Sequence, residues 1–183
     1  MTHELMIAGF GGQGVLSMGM TLAYAGMIEQ KEISWMPSYG PEMRGGTANC
    51  IVIVSDQKIS SPIVTTFDSL IALNQPSLDK FEKVVRPGGL LLYDATNIIT
   101  PPSRNDITVL PIPASDEAVK MKNSKIMNMI VLGAFISQRE VVGIGSIMQA
   151  LKKVLPERYH HLLSLNEQAL RRGMELASTL EPA

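Results

Sequence analysis

The run Leu5-Met6-Ile7-Ala8-Gly9-Phe10-Gly11-Gly12-Gln13-Gly14-Val15, continued without a charge to Ile28, decides how the chain is read. Leu5 to Ala8 is a short apolar strand. Gly9, Gly11 and Gly14 fall at the spacing G-x-G-x-x-G. In a strand–turn–helix unit, one such glycine permits the sharp turn, one lets backbone approach an anion, and one lets helix pack on strand. The helix start adds unpaired N–H groups and the positive end of the dipole. A glycine turn can also do no more than turn a corner, so the flanking strand and helix carry the argument for an anion site.

The helix, from about Gly14 to Gln30, is apolar nearly all round. Leu16, Met20, Ala23 and Met27 form one face, and Val15, Met18, Leu22 and Ala25 another. Such a helix is buried on several sides. It lies either between a sheet and a second subunit or at the centre of one domain. Its uncharged length raises the thought of a membrane span, but Gly11-Gly12-Gln13-Gly14 is hard to place in lipid.

A second strand, Ile33 to Met36, ends in Pro37-Ser38-Tyr39, with no acid after it to hold a nicotinamide ribose. The loop Ser38-Tyr39-Gly40-Pro41-Glu42-Met43-Arg44-Gly45-Gly46-Thr47 has no room for a crossover helix. The strand Ala48 to Val54 is therefore expected antiparallel to its predecessor or reached by an irregular excursion. Arg44 among glycines reads as a phosphate or carboxylate contact, or as half of an internal Glu42–Arg44 clamp.

Ser55-Asp56-Gln57-Lys58 reads as a hairpin turn before a short strand near Ile59. Ser69 to Leu73 is a strand, and Pro76 can open a helix from Ser77 to Val85. Arg86-Pro87-Gly88-Gly89 stops that helix, and Leu90 to Tyr93 is the next strand, closed by Asp94 as a cap. Ile107 to Ile112 is a further strand. Helices follow at Ala114 to Met121, Ser124 to Arg139, Ser146 to Leu155 and Arg158 to Leu180. Gly173 inside the last implies close approach of another element. Asn128, polar in an apolar run, is either a core hydrogen-bond hub or a ligand contact. Alternating strands and helices make a three-layer α/β/α domain, Rossmann-like, with a mixed sheet.

With 183 residues, the chain reads as one domain, 1–183. Charged residues make up only 18% against 45% hydrophobic, a balance that hints at a permanent partner. A net charge of −1 argues against nucleic-acid binding. The single cysteine, Cys50, excludes a disulfide framework, and an iron–sulfur cluster needs about four thiolates. Cys50 reads as a buried core thiol. His3, His160 and His161 form no spaced metal set, and the last two read as solvated. Glu4 and the lack of a basic leader argue against a signal peptide, so the expected location is the cytoplasm.

Three segments together resemble one family: Gly9 to Val15, Ser38 to Thr47, and Asn74-Gln75-Pro76-Ser77. The family is the gamma subunit of 2-oxoacid:ferredoxin (or flavodoxin) oxidoreductases. Arg86-Pro87-Gly88-Gly89, Asn128 with Leu132-Gly133, and the stretch Asn166 to Gly173 fit as well. The resemblance implies a multi-subunit enzyme that decarboxylates a 2-oxoacid on thiamine diphosphate, passes electrons through iron–sulfur clusters to ferredoxin or flavodoxin, and forms an acyl-CoA. It favours 2-oxoglutarate, then pyruvate. The chain has no Gly-Asp-Gly segment with an Asn-Asn pair for thiamine diphosphate and magnesium, and too few cysteines for clusters. Those cofactors are therefore expected on partner alpha, beta and ferredoxin-like delta subunits. The resemblance links this domain with coenzyme A and with packing against the catalytic subunits. It carries Gly9, Gly11, Gly12, Gln13 and Gly14 as one loop at the ligand, Glu42, Arg44, Gly45 and Gly46 as a second, and Asn128 as an addition. The same loops could instead only dock the partners. Rival readings are a free-standing enzyme binding NAD or S-adenosylmethionine, which would want an acid after the second strand, and a purely structural subunit.

Overall fold

The structure, a computed structural model of the chain, describes residues 1–40 and 47–180. The strands are β1 (Thr2–Phe10), β2 (Glu32–Tyr39), β3 (Thr47–Ser55), β4 (Phe67–Ala72), β5 (Val85–Asp94) and β6 (Thr108–Ile112). They form one sheet in the order β2-β3-β1-β4-β5-β6. β4, β5 and β6 run parallel to β1, while β3 runs antiparallel to both β1 and β2. The sheet is mixed, as expected, and β3 is the strand that runs against the others.

Strand alternation builds two cores. Leu5, Ile7, Ile71, Leu90, Leu92 and Leu110 face one side, under α1 (Val15–Ile28), α3 (Ala114–Lys120), α4 (Met127–Gln138), α5 (Ile144–Val154) and α6 (Leu163–Thr179). Met6, Leu70, Leu91, Tyr93 and Val109 face the other, covered by the short α2 (Gln75–Phe81) and by Ile98 and Ile107 from a loop. The three layers are present but unequal. Helix α1 lies on β1, β2 and β3 with α5 alongside, so its apolar faces are largely consumed within the chain; Tyr24 and Met27 stay exposed. No described helix is long and apolar enough to cross a membrane.

Several local expectations are corrected. Residues 56–66 contain no strand near Ile59. Ile59 is followed by Ser60-Ser61-Pro62, and β3, along which a hairpin strand would return, is already paired on both sides. β2 runs past Pro37 because it is an edge strand, where a missing N–H costs no ladder bond. The first turns of the last helix are a 3₁₀ segment, Glu157–Leu162, with α6 beginning only at Leu163. Arg86-Pro87-Gly88-Gly89 does not stop α2, which ends at Phe81; it lies inside β5 as an irregularity, with Gly88 at φ +75°. Arg86 there pairs with Glu4 and with Asp68 (2.6 Å), tying together the starts of β1, β4 and β5.

Every residue of α4 from Met127 to Ile136 is buried. It crosses α6 at two glycines. A Cβ on Gly173 would lie 1.8 Å from the Ile130 carbonyl oxygen, and one on Gly133 2.0 Å from that of Leu170. The obstacle is backbone in both cases, so no rotamer can relieve it. Gly173→Ala should therefore destabilise the chain by about 3 kcal/mol, the upper end of overpacking costs, read as a lower denaturation midpoint; an unchanged midpoint would contradict this packing.

His3 is buried between Ser69, whose hydroxyl lies 3.0 Å from Nε2, and the Phe135 ring. Burial lowers its pKa from the ordinary 6.5; nearby Asp68 opposes this, while Arg139 and Arg86 add to it. The folded state thus prefers neutral His3. Its stabilisation is complete above the unfolded value and is lost as pH falls through the folded one. Stability measured by denaturant titration should fall between pH 7 and pH 5, and His3→Gln should flatten that slope.

Candidate functional site at the strand-end rim

β1, β4, β5 and β6 all end at one rim, and β3 begins there, Thr47 pairing with Phe10. From β1 the chain leads to the β2–β3 side, and from β4 to the β5–β6 side. This is the topological switch where open α/β sheets form a crevice.

The glycine turn is closed by a side chain. Gln13 Oε1 accepts the Phe10 N–H at 2.7 Å, and Gln13 Nε2 donates to the Leu73 carbonyl at 3.1 Å. Gly9 is glycine because a Cβ there would meet Gln13 Oε1 at 2.7 Å. Gly12, at φ +93°, has no atom near its Cβ position and leaves the turn open to solvent. Gly14, at φ +76°, is the N-cap of α1, and Asn128 sits directly against it. Asn128 Nδ2 reaches the Gly14 carbonyl at 3.5 Å. Among the described residues no side chain caps the α1 N-terminus, and no acid lies in its first turn. Its first N–H groups and the positive end of its dipole thus lie at the rim.

A cleft of about 220 Å³ opens beside this turn, lined by Gly12, Gln13, Asn97, Ser115, Lys125 and Asn128 among others. A second, of about 310 Å³, shares Lys125 and Asn128 and is lined further on by Leu151, Leu155, Tyr159 and Leu162. The first is the more polar of the two, although apolar surface predominates in both. Lys125 stands between them on a short 3₁₀ turn, Ser124–Ile126, capped by Asn123. Sequence reading missed Lys125, because nothing in the spacing shows that the α4 start returns to the glycine turn.

The structure brings Gly9, Gly11, Gly12, Gln13, Gly14 and Asn128 together. Glu42, Arg44, Gly45 and Gly46 lie outside the described residues. The flanks of their loop meet at the same rim, Gly40 N–H donating to the Thr47 carbonyl at 3.0 Å. Asp94 is a strut. Its carboxylate accepts from the backbone N–H groups of Thr96 and Ser115, from Asn97 Nδ2 at 2.7 Å and from Ser115 Oγ at 2.5 Å. Asn74 caps α2 by accepting the Ser77 N–H at 2.8 Å, and its buried Nδ2 has no partner among the described residues. Cys50 lies beneath the α1 start, 3.7 Å from the Val15 carbonyl, and burial pushes its pKa up to about 12. His160 is half-buried, with Nε2 2.9 Å from the Leu155 carbonyl, and His161 is exposed. Among the described residues no group of three His, Cys, Asp or Glu could hold a metal.

Residues 4–176 match the family model described as pyruvate ferredoxin/flavodoxin oxidoreductase. The chain belongs to this family. It is 41% identical over 176 residues to ketoisovalerate oxidoreductase subunit VorA of Methanothermobacter thermautotrophicus, covering 95% of this chain but 36% of VorA. The chain thus spans about a third of that relative. It is 32% identical to 2-oxoglutarate synthase subunit KorC of Methanocaldococcus jannaschii over 98% of this chain and 96% of KorC. Among solved structures it superposes, with a TM-score of 0.90 and 26% identity, on 2-oxoglutarate:ferredoxin oxidoreductase from Magnetococcus marinus, which holds 2-oxoglutarate, coenzyme A and succinyl-CoA. That match covers 100% of this chain and 32% of the other.

Gln13→Ala should cost about 2 kcal/mol, for two hydrogen bonds near 1 kcal/mol each. The loss is measurable by chemical denaturation; a neutral substitution would show that the glycine turn holds its shape without the side chain.

Proposed function

We propose that this chain is the gamma-type component of an enzyme that oxidatively decarboxylates a 2-oxoacid to an acyl-CoA, and that it helps to hold coenzyme A at the strand-end rim. The carrying observation is the α1 N-terminus, which no described side chain caps, beside an open glycine turn and a cleft that Lys125 also lines. Coenzyme A has phosphates for the N–H groups and the ammonium, and a pantetheine arm for the adjoining apolar cleft. Arg44, and with it Glu42, Gly45 and Gly46, belongs to this reading from the sequence side. Thiamine diphosphate, magnesium and iron–sulfur clusters would be carried by companion subunits, with ferredoxin or flavodoxin as acceptor.

The resemblance in the sequence favours 2-oxoglutarate over pyruvate. The higher identity to VorA than to KorC supports ketoisovalerate as the first acid to assay. A purely assembling role is the second reading. It is favoured by Gln13, whose amide is engaged within the chain.

Lys125→Ala in the assembled enzyme should raise the apparent KM for coenzyme A about tenfold, the size of one lost charge-assisted bond. Decarboxylation assayed without coenzyme A should be unchanged. An unaltered KM for both Lys125→Ala and Arg44→Ala would leave only the assembling role.

A further inference from the structure

Ile98 and Ile99 are adjacent but have opposite fates. Ile98 is 4% exposed, packed in the smaller core, while Ile99 is 92% exposed. The loop that carries them is fixed on both sides. Before it, the Asn97 and Ile98 N–H groups donate to the Asp94 carbonyl at 3.2 and 3.0 Å, and the buried Asp94 carboxylate binds Thr96, Asn97 and Ser115. After it, Gln75 grips the Thr100 peptide from both sides, Oε1 accepting its N–H at 3.0 Å and Nε2 donating to its carbonyl at 3.1 Å. Pro101-Pro102 follows, and then Ser103, held by Glu82 at 2.8 Å.

A lone exposed isoleucine is ordinary on a floppy loop. Here the loop is already ordered, so burying Ile99 against a partner would forfeit little chain entropy. The location is also specific. Asn97, two residues away, lines the polar cleft; Val119, 66% exposed, lines it as well, and Tyr159, 41% exposed, lines the apolar one. Exposed apolar side chains therefore stand at each cleft, and Ile99 lies two residues beyond the lining residue Asn97.

The relatives indicate what covers them. The same domain is about a third of VorA and nearly the whole of KorC. Where the domain stands as its own chain, surface contacts alone must hold the neighbour that covalent linkage supplies elsewhere. We infer that Ile99 is the apolar anchor by which a companion polypeptide, equivalent to the part of VorA outside the aligned third, docks on the strand-end rim and covers the cleft. The inference rests on the proposed function and names the surface that this function needs.

The test isolates tagged chain from its own cells. The companion is identified by bound thiamine diphosphate and by 2-oxoacid-dependent viologen reduction. Ile99→Glu should weaken its retention about 30-fold, as expected for an interfacial hot spot, whereas Ile99→Leu should retain it. Ile63→Glu is the control, since Ile63 is 73% exposed in the 56–66 segment at the opposite end of the sheet. It should leave retention unchanged. If Ile99→Glu fails to accumulate, Ile99→Ala, which adds no charge, should still weaken retention several-fold. Full retention by the Ile99 variants would overturn the anchor and leave the proposed function standing. Equal loss from Ile63→Glu would overturn the assignment to this rim. A wild-type chain that holds no such companion would overturn both.

Discussion

The two hydrogen bonds of Gln13 are the constraint from which the rim follows. They join the last residue of β1 to the chain leaving β4, and so fix where α1 begins. A backbone-only turn would leave the Phe10 N–H and the Leu73 carbonyl to find water. With the amide in place the turn is compact, Gly9 must lack a Cβ, and Gly14 can take its left-handed φ against Asn128. The first N–H groups of α1 then lie at the rim where β1 ends. An elementary loop closure thus converts a sharp corner into an oriented positive end.

Much of the fold was legible because apolar alternation carries it. β1, β4, β5 and β6 are apolar runs bounded by turn residues; β4 and β6 formed within two residues of where that pattern places them, while β1 runs longer at both ends and β5 starts five residues early, at Val85. β2 was read too short, since Pro37 looks like a stop; only its place at the sheet edge, a tertiary fact, makes the proline tolerable. The strand expected near Ile59 failed for the converse reason. A turn signal is local, but a strand needs a free edge, and β3, which a hairpin there would pair with, is already flanked by β1 and β2. The glycine turn was legible as a possible anion site, whereas the task of Gln13 was not. Its partner carbonyl is 60 residues away in sequence. Lys125 was invisible for the same reason: it reaches the turn only because α4 packs across α1.

The same architecture limits where a partner can bind. Both outer strands carry a proline, Pro37 in β2 and Pro111 in β6, and each removes a donor from an edge that could otherwise add a strand. Cys50, the one thiol, is sealed beneath α1. The larger helical face is consumed by α4 and α6, whose crossing at Gly133 and Gly173 leaves no gap. The rim where the parallel strands end and the exposed side of α1 remain open to recognition.

The size of the clefts makes ligand and partner parts of one problem. Pockets that bury most of a drug-sized ligand typically enclose about 300–1,000 Å³. The polar cleft here is about 220 Å³ and the apolar one about 310 Å³, both open to solvent. Coenzyme A, with an adenosine, three phosphates and a long pantetheine arm, exceeds what either can enclose. On this chain alone the ligand would lie mostly in water, where an ammonium–phosphate contact is worth least. A second surface laid over the rim would displace that water and strengthen the contacts of Lys125 and the α1 N-terminus together. The polar groups at the rim and the apolar side chains around it thus make sense as two halves of a site that is complete only when covered.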